Sequence, residues 1–373
     1  MMILKDKKVA IIGAGPVGLT MARLLQQQGI DITVYERDKH SGARIWGGTL
    51  DLHEDSGQVA LKKAGLLNDY FAMAKPMGRT ITDKGNILFS VPPQHETPEI
   101  NRNDLRQLLL NSLLGNTVVW DSKFTSLTKV NDKWLLHFDN QPDAVADVVI
   151  CANGGMSAAR KYVTDGVAEY TGTFIIQGEV PTPQINCPEL YKLCNNNILM
   201  TTGNGVNFVA NPDNNGALTY NVTFRKPEEW LSSNRLDFQD KESIAAFLSD
   251  MFLHWHECYR QLFSVTAFFV GLPARQLPLE YLWQDDRPMP ITLIGDAAHV
   301  MPPFAGRGVN TGLMDALILS DNLTNGKFET IEAAIADYEQ KMFVYAREAQ
   351  LETSTNEIAM HQPDFSFRKR FEG

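Results

Sequence analysis

The chain has 373 residues, 44% of them hydrophobic, with 34 Lys and Arg against 44 Asp and Glu and a formal net charge of -10. That length holds one large or two interlocked domains with a sizeable core, in an ordinary globular composition. The acidic balance excludes a nucleic-acid groove or an anionic membrane surface as the main partner, since neither attracts a negatively charged protein.

At the N-terminus, KKVAIIGAG reads as a buried strand ending in glycine, PVGLTMARLLQQQ as a helix with Pro16 in its first turn, and DITVYE as a second strand. This is a βαβ unit and not a signal peptide, because no small-residue cleavage site follows the apolar run. Gly13, Gly15 and Gly18 form GAGPVG between strand and helix. The glycines permit a tight turn, close approach of backbone to a pyrophosphate, and close helix packing, and the helix start offers free N–H groups to the phosphates. Glu36 ends the second strand at the spacing of an acid that accepts ribose hydroxyls, and Arg37 beside it lies over adenine or faces solvent. The motif predicts a dinucleotide without separating NAD from FAD.

Helical patterns follow at GQVALKKAGLLNDYFAMA and NRNDLRQLLLNSLL, then strands at VVW, WLLHF and ADVVICANGG. Between about Thr171 and Glu280 the segments TFIIQGEV, ILMTTGNGVNFVANP, ALTYNVTF and SVTAFFVG alternate β-branched and aromatic residues with Asn, Gly and Pro turns, which predicts an antiparallel sheet. PITLIGDAAH returns as a buried strand, and the last segment carries a long helical period. The predicted class is α/β: a Rossmann-like domain over 1–170 and 281–325, an antiparallel-sheet substrate domain over 171–280, and a C-terminal bridging helix over 329–373.

HWHEC, with His254, His256 and Cys258, is read as helical side chains spread around a surface, so no metal site is expected. The four cysteines lack CxxC spacing, which favours a reduced, cytoplasmic compartment. No run reaches the ~18 apolar residues of a membrane span.

The stretch GDAAHVMPPFAGRGVNTG, from Gly295, places the carboxylate of Asp296 between an apolar run and a glycine-rich turn. An NAD enzyme has no general need of such a second motif, whereas FAD has a ribityl chain whose hydroxyls an acid can bind. With GAGPVG, NGGMSAAR (Asn153, Gly154, Ser157, Arg160) and this GD motif, the chain resembles the class A flavoprotein monooxygenases of the para-hydroxybenzoate hydroxylase type. It carries Asn153 where that group usually has Asp.

Further segments, ARIWGGTLDLH, PEINRNDLR and NEIAM, make it similar to the tetracycline destructases over nearly its whole length. That resemblance implies FAD as cofactor, NADPH and O2 as co-substrates, and hydroxylation of tetracycline through a flavin C4a-hydroperoxide, with the flavin and no side chain carrying the chemistry. It implies cofactor contacts from Gly13, Gly15, Pro16, Gly18, Glu36, Arg37, Arg44, Arg102, Asp296, Pro303, Gly306, Gly308, Val309 and Asn310. Substrate contacts fall to Gln177, Val209, Asn211, Thr219, Pro303, Phe304, Gly306, Asn356 and Met360. Ile198 and Thr219 stand where the resembled enzymes use Arg and His, and Val209 where they use an aromatic residue. Two alternatives remain open: a flavin hydroxylase of another polycyclic or phenolic substrate, and a non-catalytic flavin or ligand binder. The resemblance leans monomeric.

Overall fold

A computed structural model describes residues 3–43, 47–233, 236–281 and 283–368. Lys8–Ile12 (β1), Pro16–Gln26 (α1) and Asp31–Tyr35 (β2) form the expected βαβ unit. β1 lies at the centre of an all-parallel sheet completed by Val118–Val119 (β7), Val148–Cys151 (β11) and Ile291–Leu293 (β17), in the order β17-β11-β1-β2-β7. Parallel strands are covered on both faces, which is why KVAII and VVIC are continuous apolar runs. Around this sheet lie Gly57–Ala64 (α2), Leu67–Met73 (α3) and Arg102–Asn111 (α4), a two-strand ribbon of Leu50–Asp51 (β3) with Glu99–Ile100 (β6), and a small antiparallel sheet of Phe124–Val130 (β8), Lys133–Phe138 (β9) and Ala144–Ala146 (β10).

The second sheet takes Glu169–Pro181 (β12), Ile198–Gly203 (β13), Val206–Asn214 (β14), Ala217–Arg225 (β15) and Phe268–Gln276 (β16). It also takes Arg79–Asp83 (β4) and Asn86–Val91 (β5), in the order β16-β12-β15-β14-β13-β4-β5, with β13 parallel to β4 and every other pairing antiparallel. A boundary at 170/171 therefore misplaces β4 and β5, which leave the first segment to extend the second sheet. Their sequence, RTITDKGNILFSV, signals a hairpin but carries no mark of which sheet it joins.

Period two divides that sheet sharply. One face buries Phe174, Ile176, Val180, Phe208, Leu218, Tyr220, Val222 and Phe224. Against it pack Pro188–Cys194 (α6, after the single turn Pro183–Asn186, α5), Lys241–Met251 (α8) and Glu257–Val265 (α9), with Trp230 of Glu228–Ser233 (α7) at the margin. The HWHEC segment is not helical throughout: His254 lies in a turn, and His256 is the N-cap of α9, its Nδ1 accepting from Cys258 N at 3.3 Å. All four cysteines are free and buried.

After β17 come Asp296–His299 (α10), Gly308–Thr324 (α11) and the 30-residue Ile331–Met360 (α12). The last helix ends at Met360, short of 373. It packs on α11 at one end. At the other it meets the second sheet: Thr171 Oγ1 donates to Glu357 Oε1 at 2.6 Å, Asn207 Nδ2 to Met360 O at 3.0 Å, and His361 Nε2 lies 3.0 Å from Thr223 Oγ1. No described helix is long and apolar enough to cross a membrane.

One buried carboxylate fixes the turn between β17 and α10. Asp315 Oδ2 accepts from Gly295 N at 2.6 Å and pairs with His299 Nε2 at 2.7 Å, and Tyr345 OH donates to Oδ1 at 2.6 Å. Burial alone lowers the pKa of His299, but the charge and hydrogen bond of Asp315, with Asp296 beyond, outweigh it, and the net shift is upward from 6.5. A raised folded pKa gives stability that is fully present below 6.5 and is lost as pH rises through the folded value. His299→Gln is expected to lower the unfolding free energy by roughly 3 kcal/mol at pH 6, the cost of breaking a buried ion pair, with a smaller deficit at pH 9. Urea unfolding at both pH values checks this; a deficit independent of pH would mean that His299 is neutral in the folded protein.

Candidate functional site

The glycine turn between β1 and α1 is shaped by close contacts. Gly13 has φ 107°, and a Cβ there would lie 2.5 Å from Ala152 O; a Cβ on Gly18 would overlap Gly13 O. Gly15 differs, because a Cβ on it would meet nothing within 4 Å. It N-caps α1 without a side-chain cap, and Pro16 has no N–H, so the next N–H groups of the first turn are left for a ligand on the open side. Glu36 is buried, with Oε2 accepting from Ala14 N at 2.5 Å and Oε1 from Asp38 N at 3.0 Å. Two lone pairs remain for hydroxyl groups. Arg106, which the motif reading passes over, braces this corner by donating to Ala14 O at 3.0 Å and Asp38 Oδ2 at 2.8 Å. Arg37 is exposed, and Arg44 lies outside the described residues.

Asp296 starts α10 with an exposed carboxylate that makes no hydrogen bond or ion pair with a described residue, between fully buried neighbours. Two arginines flank its charge. Burial lowers the pKa of both Arg102 and Arg160, and Asp296 opposes that shift in each. Arg102 Nε donates to Gly48 O at 3.1 Å. Arg160 donates to Ala297 O at 2.9 Å, Gly155 O at 2.7 Å and Asp296 O at 3.2 Å, which bolts the NGGMSAAR segment to the GD turn. Asn153 accepts from Ser157 Oγ at 2.6 Å, a bond inside that segment.

In the following turn Pro303 and Gly306 are exposed, Gly308 and Val309 half-buried at the start of α11, and Arg307 caps that helix without a side-chain bond. Asn310 is buried, its Oδ1 accepting from His53 N at 2.8 Å and its Nδ2 donating to Asp51 O at 3.0 Å and Gly306 O at 3.2 Å. The amide is thus consumed by the scaffold, leaving its backbone N–H for a ligand. Two uncapped helix starts, a lone carboxylate between two guanidiniums and an acidic hydroxyl acceptor form an elongated donor set. It suits FAD, with anionic phosphates in the middle, hydroxylated arms and a ring whose edge gathers negative charge.

The polar face of the second sheet carries the other predicted residues. One cross-strand row runs Gln177, Asn221, Val209, Met200 and Ile81, and the next runs Glu179, Thr219 and Asn211. Asn211 Nδ2 donates to Thr49 Oγ1 at 2.9 Å, and Thr219 Oγ1 accepts from Asn214 Nδ2 at 3.3 Å. Ile198 is buried on β13. At the junction with the turn, Phe304 and Met360 cluster with Ile81 and Phe367, and Met200, Phe89 and Phe365 pack against them. Asn356 joins α12 to this turn, donating to Phe304 O at 3.2 Å.

Gln177, Thr219, Asn221 and Val270 line a narrow cleft under Gly47 and Gly48, with about 20 Å³ of free space, room for one water molecule. The Asn221 Oδ1 atom is shut off from solvent without a hydrogen-bond partner, a condition that costs about 1–3 kcal/mol if nothing fills it. Asn221, Met200 and Ile81 were not legible as site residues. Alternation in TYNVTF puts Asn221 on the polar face, but only strand register brings it beside Gln177.

Residues 279–346 match the model of an FAD binding domain, and residues 11–55 that of an NAD(P)-binding Rossmann-like domain. Monooxygenase asqM of Emericella nidulans is 25% identical, covering 92% of this chain and 93% of its own. Among solved structures, tetracycline destructase Tet(55) superposes with a TM-score of 0.78 at 23% identity over 98% of this chain and 93% of its own. Klebsiella pneumoniae HpxO complexed with FAD and uric acid also gives 0.78, at 20% identity over 99% and 92%. The structural likenesses speak to the fold, whereas the FAD-domain match and the curated monooxygenase relatives speak to cofactor and reaction class: the chain is an enzyme, a flavoprotein monooxygenase.

Proposed function

We propose that this protein is an NADPH- and O2-using monooxygenase that hydroxylates, and so inactivates, tetracyclines. The observation that carries the reading is the junction of the two sheets: hydrogen-bonding side chains at Gln177, Asn211 and Thr219 on one side, and the apolar group of Phe304, Met360 and Met200 beside the glycine-rich turn on the other. A planar polycycle with one polar edge matches that division. Likeness in fold to a tetracycline destructase supports it.

Bound FAD supplies electron transfer from NADPH and activation of O2. The chain holds and shapes the site. N–H groups of the GAGPVG turn and α1, with Arg102, would bind the pyrophosphate; Glu36 would accept from the ribose; Asp296 would accept from the ribityl hydroxyls; and the N–H groups at Gly308 to Asn310 would be offered to the flavin ring edge. Phe304, Met200 and Met360 keep water from the reacting carbon. Gln177, Asn211 and Thr219 orient the polar edge of the substrate. Because the cleft holds one water, a ring system has to displace the backbone at Gly47 and Gly48.

A second reading, another polycyclic or phenolic substrate, is favoured by one observation: Ile198, buried and apolar, stands where the resembled enzymes place a cation. Curated relatives that are monooxygenases leave the non-catalytic carrier without support. Mass spectrometry of tetracycline incubated with FAD-loaded protein, NADPH and air is expected to show a product heavier by one oxygen atom, absent without NADPH. Unchanged tetracycline with a flavin that NADPH still reduces would move the assignment to the second reading. Asp296→Ala is expected to weaken FAD binding roughly ten- to hundredfold, the loss of one charged hydrogen-bonding partner of about 1.5–3 kcal/mol; flavin content unchanged after gel filtration would remove Asp296 from the cofactor site.

A further inference from the structure

Asn is depleted in strands, and a position whose only task is to hold β15 in its sheet favours Val or Thr. Asn221 nevertheless sits in mid-strand, flanked in its row by Val209 on one side and Gln177 on the other. Neither the Asn221 nor the Gln177 amide makes a hydrogen bond to a described residue, and Asn221 Oδ1 is buried without a partner. Directly paired residues share a face, with Cβ atoms about 4.5–5.5 Å apart, so the two amide heads lie side by side in the cleft under Gly47 and Gly48.

We infer that Asn221 is a specificity-determining residue which, with Gln177, reads a planar ligand edge carrying a hydrogen-bond donor beside an acceptor, as a carboxamide next to an enol, or a cyclic imide, presents. Each primary amide offers an N–H and a C=O in one plane and pairs with a like edge through complementary bonds. Such an edge satisfies Asn221 Oδ1, which no described residue does. An aromatic ring bearing a lone hydroxyl can pair fully with one of the two amides but not with both, so the pair selects for edged ligands over simple phenols. The inference rests on the proposed use of this sheet face for substrate, but does not require that the substrate be a tetracycline.

The test compares wild type with Asn221→Val and Asn221→Thr, both FAD-loaded, titrated with tetracycline, uric acid and 2-naphthol while the flavin absorbance is followed. The first two probes carry an edge of the stated kind and the third does not. Expected is at least a tenfold loss of affinity in both variants for whichever edged probe binds the wild type, with 2-naphthol changed less than twofold. Because an unpaired buried amide is replaced by a strand-forming side chain, the thermal midpoint of Asn221→Val is expected at or above that of wild type. Equal affinity of edged probes for wild type and variants, or binding of 2-naphthol alone, overturns the inference and leaves the amide to a bound water. So does failure of every edged probe to bind the wild type. Loss of uric acid binding in the variants, with no tetracycline binding or turnover by wild type, upholds the amide pair while refuting the tetracycline reading.

Discussion

Asp315 is a fully buried carboxylate with three partners, and the geometry of the late motif depends on it. Its Oδ2 holds Gly295 N–H and His299 together, and its Oδ1 holds Tyr345 of the long helix. A buried charge in such a place is costly unless its lone pairs are largely used and a counter-charge is close; three hydrogen-bonding partners, one of them His299, meet that need here. The arrangement lets Asp296 project as a bare carboxylate: the turn beneath it is already fixed by Asp315, and the segment beside it by Arg160. A carboxylate that had to hold its own turn in place would have fewer lone pairs for a ligand.

The second sheet solves a different problem with the same economy of means. Its apolar face takes Phe208, Tyr220 and Phe224 into an aromatic core with α8 and α9, where Tyr259 meets Phe208 edge-on at a centroid distance of 5.0 Å and Phe252 and Phe263 stand 5.0 Å apart. Most of the domain's apolar packing is placed there, which frees part of the opposite face to carry polar side chains. Between the two domains α12 is tied by polar contacts at its C-terminal end, and His361 shows how. Its Nδ1 lies 2.7 Å from Glu357 O, a carbonyl that can only accept, so Nδ1 carries the proton and Nε2 accepts from Thr223. Burial, the largest influence on this ring, holds its pKa below 6.5, which favours the neutral imidazole next to Phe304.

The parts of this protein legible in its sequence are those governed by local geometry. GAGPVG, the acidic end of β2 and the GD turn each require particular residues at fixed spacing, because a backbone must approach another backbone or leave N–H groups free, and they stand where the spacing puts them. What was hidden depends on register and on long-range pairing. The crossing of β4 and β5 into the second sheet, the pairing of Gln177 with Asn221, and the capture of the Asn310 amide by His53 and Asp51 all join residues far apart in the chain. His256 illustrates the smaller failure. Its apolar surroundings suggest a helix interior, whereas an Nδ1 acceptor at a helix start caps as Asn or Asp does, and a histidine is rarely read for that role.

Recognition without a cation would have a consequence for how the proposed site tolerates different ligands. A guanidinium or an imidazolium in a cleft binds one anionic group strongly and penalises every ligand that leaves it unpaired. At Ile198 and Thr219 the chain has an apolar side chain and a hydroxyl instead; beside them Gln177, Asn211 and Asn221 are amides, and Glu179, paired across the strands with Thr219, is a carboxylic acid. An amide donates and accepts with little penalty for swapping ends, so in the proposed reading these side chains discriminate by the pattern of donors and acceptors and by planarity, beside the single acid Glu179. The apolar group at Phe304 and Met360 adds shape selection without polarity, and flexible Met side chains at 200 and 360 adjust to ring systems of different outline. Such a site exchanges affinity for any single ligand against a wider acceptance of planar, amide-edged ones, and its selectivity then lies in the register of two strands, where a slip of one residue would turn Asn221 into the aromatic core and put Tyr220 or Val222 in its place.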